Sequence, residues 1–226
     1  MSAGHGDLLL PNRIVVMRNG EGTGLYGSFQ QHEGQQIMAG VRQATLSGFP
    51  DQNDEQCQAA LRAAEAVPLT YAVCEKRVDQ TMVQISDHIK RDIFEEGTAL
   101  DQLITEENVF NAPYGALVRD PNVVSDPESE FFLFALNSSP STVRSVKYKI
   151  VHDSPDDASG RPLGWDMVAE LGFRLSHLFY NWPGPVLIPA PLQYAIKAAF
   201  QGTTVFKQEL FEKVYQFWFH EGLASL

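Results

Sequence analysis

Apolar positions along this chain follow two periods: short β-branched or aromatic runs, and longer stretches in which apolar residues recur every three to four positions. Arg13 to Met17 (RIVVM) is a run of the first kind. It ends at Arg18-Asn19-Gly20 and predicts a buried strand entering a turn. Ile37, Val41 and Ala44 then share one face of a helix that stops near Gly48, and a second helical segment spans Gln56 to Ala66. Leu69 to Glu75 (LTYAVCE) predicts a core strand. The polar stretch 78–110 predicts a helix or irregular excursion around Ile85 to Phe94. Tyr114 to Arg119, Phe131 to Leu136 and Val146 to His152 predict three further strands separated by Pro, Asp and Ser clusters. Pro162 opens a helix carrying Trp165, Val168, Leu171, Leu175, Leu178 and Phe179. Phe206, Leu210, Val214 and Phe217 mark a last amphipathic helix. With no internal repeat and no low-complexity linker, the pattern predicts one mixed α/β domain.

The stretch from His177 to Phe200 (HLFYNWPGPVLIPAPLQYAIKAAF) holds the strongest local signals. Pro183 and Gly184 interrupt a helical pattern, Pro185 and Pro189 keep the backbone extended, and Pro191 suits the first turn of a helix running to Gly202. The prediction is a helix end, a short strand at a sheet edge and a new helix.

Composition changes this picture little: 226 residues, 44% hydrophobic and 20% charged, suffice for a substantial core. Charge changes it more. With 17 basic and 28 acidic residues the net charge is −11, whereas nucleic-acid-binding modules usually carry a basic excess. Any such site here would be a local basic groove on an acidic body. Cys57 and Cys74 are too far apart for a CxxC pair and read as reduced thiols without a metal or redox role. No run of 18 apolar residues and no signal-like start occurs, so the expectation is an intracellular protein, cytoplasmic or nuclear, with no membrane partner. Gly22-Thr23-Gly24-Leu25-Tyr26-Gly27 matches GxGxxG, but the next strand comes too late to place an acidic residue about 20 positions on, so it reads as a glycine turn.

Asn181-Trp182-Pro183-Gly184, Ile188-Pro189-Ala190-Pro191 and Gln193-Tyr194-Ala195 together resemble the closing segment of the Piwi domain of the Argonaute/Piwi family, on the Piwi side. The likeness extends along the chain. Residues 14–20 are similar to the family's strand ending in Arg-Asp-Gly, and residues 71–77 to its next strand ending in Lys-Arg. Ala112-Pro113-Tyr114-Gly115 resembles its Asn-Pro-x-x-Gly turn. Phe131-Phe132-Leu133 resembles its Asp-Phe-Phe strand, and residues 147–153 the strand that follows. The resemblance implies an α/β, ribonuclease H-like fold that cuts a target strand paired to a guide RNA. Two divalent ions would be held there by two aspartates, a glutamate and a final His or Asp.

Carried over position by position, the resemblance puts Asn19 where the aspartate after the first strand is expected and Ile196 where the final histidine is expected. The other two ligands belong to segments that the family places earlier, and Asp7 is the one carboxylate ahead of Arg13. The expected architecture is therefore a Piwi domain lacking its opening strands, over residues 13–220. A short extension (1–12) precedes it and a tail (221–226) follows. An unpaired sheet edge in such a domain invites a protein chain to complete the sheet.

Three functions follow. In the favoured one, a Piwi-like chain binds small RNA or an RNA duplex in a silencing pathway without cutting it. Lys76, Arg77, Tyr194 and Lys197 would contact the nucleic acid, with no metal and no cofactor. The second is a protein-interaction module or remnant without RNA binding. The third is a metal-dependent ribonuclease completed by another chain, in which Mg²⁺ would act and Asp92, Asp120, Asp153, Asp156 or Asp157 would be the carboxylates to hand. Among these, Asp153 beside His152 is the best acid and imidazole pair, and a turn-forming Asp-Ser-Pro sequence is its ordinary reading. Lys147 and Lys149 read as a wet strand face or edge protection.

Overall fold

The computed structural model describes residues 10–20, 32–49, 54–76, 78, 82–85, 109–136, 144–156 and 160–205. Its elements in chain order are β1 (Ile14–Asn19), α1 (Gly34–Ser47), α2 (Glu55–Glu65), β2 (Leu69–Glu75), β3 (Val83–Ile85) and β4 (Val109–Asn111). Then follow β5 (Leu117–Val118), β6 (Glu130–Leu133), β7 (Val146–Asp153), α3 (Gly164–Ser176) and α4 (Ala190–Val205). Arg77, the GxGxxG stretch, Asp92, Asp157 and the helix expected from Phe206 lie outside the described residues.

Five strands form one sheet in the order β1-β2-β7-β6-β5. β1 and β2 run parallel, Ile14 opposite Leu69 through Asn19 opposite Cys74, and α1 and α2 make the crossover that a parallel pair requires. The remaining neighbours are antiparallel. β2 is an interior strand, paired on both edges and largely apolar on both faces, and every residue but Glu75 is buried. Leu69, Tyr71 and Val73 point to one face, packing with Ile14, Val16, Ile37 and Val151. Ala72 and Cys74 point to the other, into a larger core with Phe131, Leu133, Val146, Tyr148, Val168, Ala169, Ile188 and Leu192. Phe131 and Tyr148 stack there, ring centroids 5.0 Å apart and 4° from parallel. Cys57 and Cys74 are buried free thiols, and burial drives the Cys74 thiol well above its ordinary pKa.

One side chain fastens the start of β1 to the rest of the molecule. Asp153, at the end of β7, accepts from Arg13 Nη1 at 3.1 Å and Thr70 Oγ1 at 2.7 Å. It also accepts from the backbone N–H groups of Leu163 and Gly164 at 3.1 and 2.8 Å, capping α3. This removes Asp153 from the carboxylates free to bind a metal. Its neighbour His152 pairs with Ser154 Oγ at 3.0 Å. Asp120 is likewise spent on a turn, accepting from Asn122 N at 2.8 Å.

Several expected elements differ. The strand expected over Tyr114 to Arg119 shrinks to Leu117–Val118, because Ala116 N donates to Pro113 O and closes a turn across its first half. Ile85, expected in a helix or irregular excursion, instead ends a three-residue strand paired with Val109–Asn111. No strand crosses 181–189, where Val186 N donates to Ser176 O at the end of α3 rather than to a sheet. α4 continues past Gly202 to Val205. Lys147 and Lys149 are not a wet face: their Nζ atoms lie 3.0 and 2.7 Å from the two carboxylate oxygens of Glu130, whose side chain is 2% exposed. Burial opposes ionisation of Glu130, but hydrogen bonds from Lys149 and Lys147 outweigh it and hold the carboxyl below its ordinary pKa.

Candidate nucleic-acid interface

The parallel pair ends at Asn19 and Glu75, and the turn after β1 depends on Gly20. Gly20 N donates to Cys74 O at 2.9 Å. A Cβ on Gly20 would run into Val73 Cγ1, so glycine lets the chain leave β1 close against β2. Lys76 follows β2 at this same end of the sheet. In open α/β sheets the carboxyl ends of parallel strands are the usual place for a ligand.

Asn19 and Ile196 meet here. Both line a cavity of about 760 Å³ bounded by β1, α1 and α4, together with Arg18, Glu33, Gln36, Tyr71 and apolar residues of α4. Asn19 Oδ1 is buried without a hydrogen-bond partner. Glu33 is the one carboxylate in the lining, and it is engaged by the Arg18 guanidinium and the Tyr71 hydroxyl. Burial raises the pKa of Tyr71, with Arg18 pulling it partly back. A second cavity, about 310 Å³, adjoins the same strand and is lined by Val15, Val16, Met17 and residues of α3 and α4. β1 thus has β2 on one side and, among the described residues, no strand on the other.

Tyr194 and Lys197 sit on α4 beside the α3–α4 connector rather than in the lining of the Asn19 cavity. Tyr194 Oη accepts from Tyr180 N at 3.0 Å, its ring packs 4.8 Å from that of Phe179, and Lys197 Nζ stands 4.6 Å from the Phe179 centroid. The structure therefore brings Asn19 and Ile196 together and places Tyr194 with Lys197 in a separate aromatic cluster. The Arg18–Glu33–Tyr71 group was missed in the sequence. Its one signal was the polar tip of Tyr71 in an otherwise apolar strand.

A divalent-metal pair needs several converging hard anions. This cavity offers a neutral amide, an isoleucine and one carboxylate already satisfied by a guanidinium and a phenol. Among the described residues no three His, Cys, Asp or Glu side chains cluster as metal ligands. These residues do not fit a two-metal centre.

The family model for the Piwi domain matches residues 5–207. This chain belongs to the Piwi domain family. It is 27% identical over 191 residues to Piwi-like protein Ago3 of Bombyx mori, covering 84% of this chain and 16% of that protein. Piwi-like protein 1 of Danio rerio is also 27% identical over 191 residues, covering 84% of this chain and 17% of that protein. The chain thus spans about one sixth of the length of these relatives. Among solved structures, the C-terminal lobe of a budding yeast Argonaute superposes with a TM-score of 0.60 at 20% identity, over 86% of this chain and 33% of that one. Kluyveromyces polysporus Argonaute with a guide RNA gives a TM-score of 0.59 at 18% identity, over 88% of this chain and 20% of that one. The Piwi fold inferred from the sequence motifs, mixed α/β and ribonuclease H-like, is the fold found. No helix among the described residues is long and apolar enough to cross a membrane.

Proposed function

We propose that this Piwi-family chain binds small RNA or an RNA duplex and does not cut it. The observation that carries the second half is the Asn19–Ile196 cavity, where the described residues bring a neutral amide and an isoleucine together with a single, already engaged carboxylate, Glu33, rather than the several anionic ligands that metal-ion hydrolysis requires. Family membership supports the first half, as does the guide RNA held by the structurally similar Kluyveromyces polysporus Argonaute. Lys76 and Arg77 would neutralise phosphates at the carboxyl end of β2, and Tyr194 and Lys197 would make a second contact on α4. The protein would act in small-RNA silencing, inside the cell, in cytoplasm or nucleus, without a metal or other cofactor.

The test is a titration of 5′-phosphorylated single-stranded RNA against the parent and the Lys76→Glu/Arg77→Glu chain across a salt series. Each lost phosphate contact should reduce the slope of log K against log salt by about 0.7. Loss of both should flatten it by roughly one to two and weaken binding at low salt. Identical slopes for the two proteins would remove Lys76 and Arg77 from the interface.

A protein partner is proposed on a separate observation. β1 (IVVMRN) leaves one edge without a strand among the described residues, with two adjoining cavities along it. Such an edge pairs readily with an extended segment, and we place a strand of another polypeptide there.

A further inference from the structure

The connector between α3 and α4 displays two aromatic rings that the core does not use. Tyr180 is 93% exposed and Trp182 60%, yet the backbone of each is held by a hydrogen bond, and a third fixes the connector beyond them at Val186. Tyr180 N donates to Tyr194 Oη at 3.0 Å, Trp182 N to Phe179 O at 3.2 Å, and Val186 N to Ser176 O at 2.9 Å. Beneath them lies the packed Phe179–Tyr194 pair with Lys197 against it. The indole rests on Gly184, where an added Cβ would meet Trp182 Nε1 at 3.2 Å. Glycine thus lets part of the ring lie on backbone while the rest stays open to solvent. Scattered exposed apolar residues are ordinary. Two rings presented from a turn anchored in this way are preorganised for contact, and ordering them on binding costs little further entropy.

We propose that Tyr180 and Trp182 form a stacking platform for the unpaired bases of single-stranded RNA. Every base has a π face, so aromatic side chains bind successive bases with little dependence on sequence. This attraction does not draw on the phosphates, which suits a chain of net charge −11. Lys197 places a cation in the supporting cluster, where a polyanion would run. Asn181, exposed between the two rings, carries an amide that can both donate to and accept from a base edge. Rings this exposed do not line a groove that encloses a partner side chain. That, with the cation in the cluster, favours RNA over a protein partner. The inference rests on the RNA-binding reading above and adds the unpaired base as the group recognised.

The experiment titrates the full chain with single-stranded oligouridine and with an abasic oligonucleotide of the same length, following tryptophan fluorescence and binding together. The parent, Tyr180→Ala, Trp182→Leu and Trp182→Phe are compared. Leucine keeps apolar area without a π face, and phenylalanine keeps the face. Oligouridine should quench the parent, and Tyr180→Ala and Trp182→Leu should each weaken its binding about tenfold. Trp182→Phe should retain most of the affinity while losing the quench, and the abasic strand should bind all four chains alike. Equal oligouridine affinity across the four chains would overturn the platform and leave the RNA-binding reading standing. A parent that binds neither strand overturns both. A Trp182→Leu chain that keeps its RNA affinity but loses a co-purifying protein assigns the patch to a protein partner and overturns the proposal.

Discussion

Glu130 shows how a single residue's surroundings decide its role. Its register partner on β7 is Lys149, and Lys147 reaches it from the diagonal position. Two ammonium groups therefore offset the cost of burying one carboxylate. Glu130→Gln should lower unfolding stability by roughly 3 kcal/mol, measured by denaturant titration, because it strands two partly buried cations. The pH dependence has a definite sign. The folded pKa of Glu130 is depressed below 4.5, so its contribution is present above about pH 4.5 and is lost as pH falls below that through the folded value. The parent should lose stability over that acid range more steeply than Glu130→Gln. Gly20→Ala should cost about 1–3 kcal/mol, read the same way, since the added methyl meets Val73. None of this was legible from the sequence. Lys147 and Lys149 alternate as an exposed strand face does, and the carboxylate that meets them is supplied by another strand.

At the scale of elements, β2 was legible to the residue, because a seven-residue, largely apolar run with β-branched and aromatic side chains, entered after Pro68, is too short for a helix and suits a strand buried on both faces. The prolines of 181–189 also pointed to a break between helices, but α3 already ends at Ser176, leaving Leu178 and Phe179 outside it, and the prolines did not give the structure between the helices. Proline keeps a backbone extended without giving it a partner, and Val186 found its partner on α3. β3 and β4 are only three residues each, too short for any periodicity to register. α4 takes its position from Leu192, which is buried in the larger core and lines both cavities beside β1. Leu192→Ala should cost about 2–5 kcal/mol in denaturant titration. A fully stable Leu192→Ala chain would mean that α4 is not seated against β1 as described. The convergence of Asn19 and Ile196 was expected from the family motif alone; neither residue has a chemistry that would have singled it out. Tyr180 and Trp182 stand in the sequence only as part of a turn motif, and their exposure needed the fold to be seen.

For the whole molecule, charge and fold pull in different directions. An acidic body repels a polyanion at long range, so the proposed RNA binding would have to come from local features: the Lys76 end of the parallel pair and the aromatic cluster around Lys197. Affinity should accordingly fall with salt, yet less steeply than for a basic domain with a long phosphate-binding groove. The Piwi fold is present, while among the described residues the cavity shared by Asn19 and Ile196 holds one carboxylate, Glu33, already engaged by Arg18 and Tyr71. The most direct measurement is one reaction in which 5′-phosphorylated single-stranded RNA is titrated with the purified chain in Mg²⁺ at low salt. Bound fraction and RNA length are read from the same samples. Saturable binding with the RNA intact is the predicted result. No binding at low salt, or RNA shortened in a reaction that a chelator stops, would contradict it.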